Sequence, residues 1–225
     1  MAIFGLVGAG GMGREAISLI ADSIALCRPD LDPEKPDIIF LESNPDARTV
    51  NGFKVWSVDE FAATSEERYF NIAIGEPETR ARLAPEIEDS GAIPFNIIHP
   101  QTEIRGSAQI GPGAFIGFET VVTTDVRVGR FFQSNHASFI GPGTTIGDHV
   151  TFSPRIYCSG HVTVGDQATI GTGARIQGGT HEKPLQIGRE AIIGMGAIIT
   201  EDIPPGAVVV GNPGRVIRQN DLGET

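Results

Sequence analysis

From Ile98 onward the sequence beats at an interval of six. Positions 98, 104, 110, 116, 122, 128, 134, 140, 146, 152, 158, 164, 170 and 176 are fourteen consecutive sites at that spacing, and twelve hold Ile, Val or Phe. Cys158 is a small hydrophobe and Ser134 is the one polar exception. A helix repeats every 3.6 residues and a strand every 2, so neither alone explains the interval. One short strand and one turn per hexad does. Three hexads then close a triangular coil, and coil stacks on coil. The large residue points into the prism. The residue four places on (Thr102, Ala108, Ala114, Thr120, Val126, Ser138, Thr144, Val150) packs near the corner. The Gly that often follows the apolar residue is expected to permit the turn. Each coil buries its apolar face only against its neighbours, so the array is a solenoid.

The beat breaks once. Ile176 and Ile187 are 11 residues apart, and the phase resumes at Ile187, Ile193 and Ile199. The intervening GGTHEKPLQIG is expected to bulge from a corner.

Residues 1–97 obey a different grammar. AIFGLVG is a continuous apolar run, as expected for a strand buried on both faces. It ends in GAGGMG, and REAISLIADSIAL follows with helical spacing at Ala16, Ile17, Ile20 and Ile24. PDIIFLES and RYFNIAIG read as further strands, VNGFKVWSVDEF as a short strand and turn, and PETRARLAPEIEDSG as a charged helix. Alternation of this kind predicts a small parallel sheet, with too few strands for a full six-stranded dinucleotide fold. The chain thus divides into residues 1–97 and 98–225. Its fold class is α/β plus all-β.

Composition narrows the function. The 29 glycines in 225 residues are near twice the usual ~7% share, and frequent apolar residues assign them to turns. A net charge of -11 argues against nucleic acid or an anionic membrane as partner. Cys27 and Cys158 are too few for a disulfide framework and read as reduced thiols. MAIFGLVGAGG has no basic segment before its apolar run, so it is not read as a leader, and no apolar run reaches the length of a membrane span. A cytoplasmic location is expected.

GAGGMGREA, FNIAIGEPETRARL, NIIHPQTEI and the closing IIGMGAIITEDIPPGAVVVGNPGRVI together resemble the sialic-acid O-acetyltransferase and bacillosamine N-acetyltransferase (NeuD/PglD-like) family. The likeness covers nearly the whole chain. It implies a Rossmann-like domain holding a free or nucleotide-linked sugar, and a left-handed parallel β-helix that forms a homotrimer and binds acetyl-CoA between adjacent prisms. No metal is implied. The acceptor site would include Gly10, Gly11, Met12, Glu42, Ser43 and Gly75. The acyl-CoA site would include Gly160, Thr172, Gly194 and Met195. The glycines would let a substrate approach the backbone, and the helix starting near Gly13 would offer N–H groups to a phosphate. The closing segment is common to hexapeptide acyltransferases in general and says nothing of the acceptor.

Acyl transfer to an amine or hydroxyl needs a base, and His suits neutral pH. The family sets its usual His at the third place of the hexad before IGD, where this chain has Pro142. The family's second His is replaced by Thr151. Five His are present. His99, at the start of the first coil, reads as structural. His149 and His161 are fourth residues of their hexads and read as solvated or capping turn residues. His136 is a third residue, one corner before the missing His, with Asn135 beside it to position it. His181 lies in the bulge, next to Glu182. The candidate catalytic residues are therefore His136, Asn135 and His181. A zinc lyase of the γ-carbonic-anhydrase type is a competing class, but successive His spacings of 13, 12 and 20 between 136, 149, 161 and 181 lack its close pair. A sugar-nucleotide and CoA binding protein without a base is the other alternative.

Overall fold

The computed structural model describes residues 2–27, 37–43 and 45–222. They form two compact units. One takes residues 1–100 with 112–115, the other 101–111 with 116–225.

The first unit is built on a sheet of order β3-β4-β2-β1-β5-β6. Its strands are β1 (Ala2–Val7), β2 (Asp37–Glu42), β3 (Thr49–Val50), β4 (Phe53–Ser57), β5 (Glu67–Ile72) and β6 (Ile93–Pro94). β1 pairs in parallel with both β2 and β5, whereas β3 and β4 form an antiparallel hairpin. The sheet thus has six strands, more than the sequence predicts. β3 and β6 are two-residue strands, too short to leave a periodic pattern. The helical spacing after GAGGMG becomes α1 (Gly11–Ala16), a 3-10 turn at Ile17–Leu19 and α2 (Ile20–Cys27). α3 (Val58–Ala62) opens with a capping box, in which Ser57 and Glu60 each bond the other's backbone N–H. α4 (Pro77–Glu88) has Pro at its first position, where no intrahelical N–H is needed.

Phe4, at the centre of the sheet, stacks on Tyr69 at 4.9 Å and meets Phe95 edge-on at 5.0 Å. Ile17, Ile20 and Ile24, from the helices, close that core. The side chain of Cys27 lies outside the described part.

The second unit is a three-sided column. Its first face stacks Gln133–Ser134, Thr151–Phe152, Thr169–Ile170, Ile192–Ile193 and Ala207–Val210. The second stacks Glu103–Ile104, Val121–Val122, Phe139–Ile140, Tyr157–Cys158, Arg175–Ile176 and Ile198–Ile199. The third stacks Gln109–Ile110, Arg127–Val128, Thr145–Ile146, Val162–Val164 and Leu185–Ile187. All these pairings are parallel, and partners differ by 18 residues (Val122↔Ile140, Val128↔Ile146) until the bulge is reached. The six-residue sites fill the interior from Val122 to Ile199, Ser134 among them, fully buried. Burial pushes the Cys158 thiol up to about 12, against a lowering hydrogen bond with Thr144, which leaves it protonated and unreactive.

The turns differ from expectation. The left-handed conformation falls three places after the apolar residue, at every sixth position from 113 to 173. Gly holds only 113, 143 and 173; the others are Glu119, Asp125, Phe131, Ala137, His149, Arg155, His161 and Gln167. The Gly directly after the apolar residue has another duty. Gly111, Gly129, Gly147 and Gly165 lie one above another, and a methyl on any would stand 2.5 to 2.8 Å from backbone of the next coil. They permit close stacking, not a special φ. The stacking is reinforced by Asp148 and Asp166, whose Oδ1 atoms accept from the N–H groups of Arg130 and Asp148 at 2.7 and 2.8 Å.

Candidate functional site

In the first unit, chain direction reverses beside β1: the chain moves from β1 to β2 and β4, then returns to β5 on β1's other side. Ligands of open parallel sheets bind past the strand C-termini at such a point. All six residues named for the acceptor gather there. Gly10, Gly11 and Met12 follow β1, Glu42 ends β2 with Ser43 next, and Gly75 follows β5. The turn is tied to the neighbouring strand, because the Ala9 N–H donates to Glu42 Oε1 at 2.7 Å. Gly10, Gly11 and Gly75 have open space where a side chain would stand, whereas a methyl on Gly13 would lie 1.8 Å from the Gly8 carbonyl oxygen. Gly10, Gly11 and Gly75 therefore leave room for a ligand, and Gly13 is required by packing. The helix begins at Gly11, two residues earlier than expected. Met12 differs from its neighbours in packing its side chain against the apolar core.

Beyond Gly75, Arg80 of α4 is fully buried. Its Nη1 donates to the Ile74 carbonyl at 2.9 Å, and burial lowers the guanidinium to about 9. This fixes the loop carrying Gly75 to the helix after it. The sequence shows only one Arg among several charges and does not single it out.

The second unit carries a groove of about 880 Å³ at the corner between the second and third faces. Its lining includes Asp125, Arg127, Pro142, Gly143, His161 and His181. Three of these form a ladder: Asp125, Gly143 and His161 are at successive 18-residue steps, and each has positive φ. The His161 N–H donates to the Pro142 carbonyl at 2.8 Å, so His161 sits one coil above the place where the family's base is missing. The bulge forms a wall. Gly179 and Leu185 N–H groups both bond the His161 carbonyl, at 3.2 and 3.0 Å, and the His181 ring lies edge-on to that of His161 at 6.1 Å.

The predicted site residues of this unit divide between two corners. Gly160 shares the corner of the groove; a methyl there would come within 2.8 Å of the Pro142 oxygen. Asn135, His136, Thr172, Gly194 and Met195 follow the first-face strands, on the corner between the first and second faces. Thr172 and Met195 are exposed, Met195 at 76%. His136 is half-buried, tilted over Phe118 at 5.1 Å. His181 therefore joins the groove, and His136 does not. His161 was missed as a chemical group because it reads along the chain as an ordinary turn residue. Counting 18 residues up from Gly143 would have found it.

Residues 4–87 match the PglD N-terminal domain family. Over 222 residues the chain is 37% identical to the GDP-perosamine N-acetyltransferase of Escherichia coli O157:H7, covering 98% of each. The chain belongs to the PglD-like acetyltransferases. It is an enzyme of the hexapeptide-repeat type, with a Rossmann-like domain and a left-handed parallel β-helix. WeeI from Acinetobacter baumannii AYE superposes with a TM-score of 0.89 at 35% identity, over 96% of this chain and 100% of that one. The acetyltransferase domain of PglB from Neisseria gonorrhoeae FA1090, in complex with acetyl coenzyme A, gives 0.82 at 26% identity, over 96% and 98%. Among the described residues no helix is long and apolar enough to cross a membrane, and no group of three or more His, Cys, Asp or Glu could hold a metal ion. His136, His149 and His161 occupy three different corners of the column, which does not suit a shared zinc.

Proposed function

We propose that the protein transfers an acetyl group from acetyl-CoA to an amino group of a nucleotide-linked sugar, as a step in surface glycan synthesis. The observation that carries this reading is the full-length 37% identity to a GDP-perosamine N-acetyltransferase. The geometry supports it. The sheet end with its open glycines suits a phosphate-bearing acceptor, and the column supplies a groove with two imidazoles. Gly10, Gly11, Glu42, Ser43 and Gly75 would hold the nucleotide sugar, with Met12 contributing backbone. Gly160, Thr172, Gly194 and Met195 would hold CoA. These CoA residues lie on two corners of one column, and a threefold assembly brings unlike corners of adjacent copies together. A cytoplasmic homotrimer follows from this reading.

The test is direct. Acetyl-CoA with GDP-perosamine, and with UDP- and dTDP-linked amino sugars, should release free thiol and give an acetylated sugar. Thiol release with none of them, together with no CoA binding by calorimetry, would reject the proposal. Pro142 at the family's usual His position favours one second reading, a protein that binds both ligands without transfer. CoA and nucleotide-sugar binding without any thiol release would establish it.

A further inference from the structure

We propose that His161 is the general base for acetyl transfer, acting from the coil above to replace the imidazole absent at position 142. This deepens the acetyltransferase reading and rests on it.

Each corner of the column carries a histidine, and what lies beneath each one differs. At the corner between the third and first faces, His149 stacks on Phe131 at 5.5 Å with the rings 3° from parallel. At the next corner His136 lies over Phe118. Both imidazoles rest on an aromatic floor. Under His161 lies Gly143 instead. A methyl on Gly143 would stand 2.7 Å from His161 Nδ1 and 2.9 Å from Cε1. The ring therefore reaches down over the coil below, into space that only glycine leaves free. That coil is the one carrying Pro142, whose carbonyl holds the His161 N–H. A base lost from one coil is thus made good from the adjacent coil, at the same corner and beside the same groove. Asp125, Arg127 and His181 are the other ionisable groups lining it.

The step balances without a further reagent. The acceptor amine attacks the thioester carbonyl carbon, forming a C–N bond, while His161 takes the amine proton. Collapse of the tetrahedral adduct breaks the C–S bond. The departing thiolate takes the proton back from the imidazolium, leaving an amide, free CoA and neutral His161.

The test uses His161→Asn, because Asn tolerates the positive φ at this turn. With CoA binding unchanged by calorimetry, kcat should fall about 100-fold or more, and added imidazole should restore part of it. His136→Ala and His181→Ala should each lose less. In parallel, bromoacetyl-CoA should alkylate a nitrogen of His161, located by mass spectrometry of the digest. If the wild type transfers acetyl but His161→Asn keeps more than a third of kcat, or if His136 or His181 is alkylated instead, the assignment to His161 is overturned and the acetyltransferase reading stands. If the wild type neither releases thiol nor binds acyl-CoA, the functional reading fails and takes the base with it.

Discussion

The two units solve the problem of burial in opposite ways. In the α/β unit each core contact is made once: Phe4 meets Tyr69 and Phe95, and nothing elsewhere repeats that arrangement. In the column one contact is made many times, because residues 18 apart repeat the same role in the next coil. A unit of the first kind stands or falls as a whole, whereas a solenoid can lose one coil's contacts locally.

The largest effect should come from Phe4→Ala, which removes the centre of the unique core. It is expected to cost about 3–5 kcal/mol. Calorimetry should show the α/β transition falling steeply while that of the column stays in place; a shared fall would break the contrast. Gly147→Ala puts a methyl 2.8 Å from the Asp166 backbone nitrogen and 2.2 Å from its Oδ1. The expected cost is about 1–3 kcal/mol, with amide exchange accelerated in the adjoining coils only. Loss of protection along the whole column would show it to be more cooperative than its repeats imply.

Ser57→Ala removes one half of the capping box on α3, at about 1 kcal/mol. The same cap should respond to acid. Its acceptance of the Ser57 N–H, helped by Arg48, holds the Glu60 carboxyl below its usual range. Its contribution is present above the unfolded value and fades as pH falls through the folded one. An acid titration of α/β stability should lose this increment in Glu60→Gln and keep most of it in Ser57→Ala, where the backbone N–H at position 57 remains. The smallest effect on stability is expected for Gly11→Ala. Open space surrounds that position, so the helix should gain about 0.5–1 kcal/mol. Its KM for the nucleotide sugar should rise. An unchanged KM would remove Gly11 from the acceptor site.

The contrast also explains what the sequence could reveal. The column was legible because one physical constraint, an interior of fixed width, acts every sixth residue. The glycines were misassigned because the sequence shows where Gly occurs but not whether φ or crowding requires it. Gly147 is crowded and carries no positive φ, whereas His149 has φ +57 without being Gly. In the α/β unit, the long strands β1, β2 and β5 gave apolar runs, but β3 and β6 were too brief to register. The residues proposed for the acceptor fall together in the fold because they follow strand ends. His161 was not, because its neighbours Pro142 and Gly143 are adjacent through stacking and distant along the chain.

The bulge between Ile176 and Ile187 is anchored at its root on the Gly160 and His161 carbonyls, and beyond it the third face returns to register with Val164 opposite Ile187. A segment attached this way is modular. It can lengthen, shorten or change composition between related enzymes while every coil above and below stays where it was. The groove wall can then be remodelled through this one excursion, with the imidazole proposed as base left in position at its root.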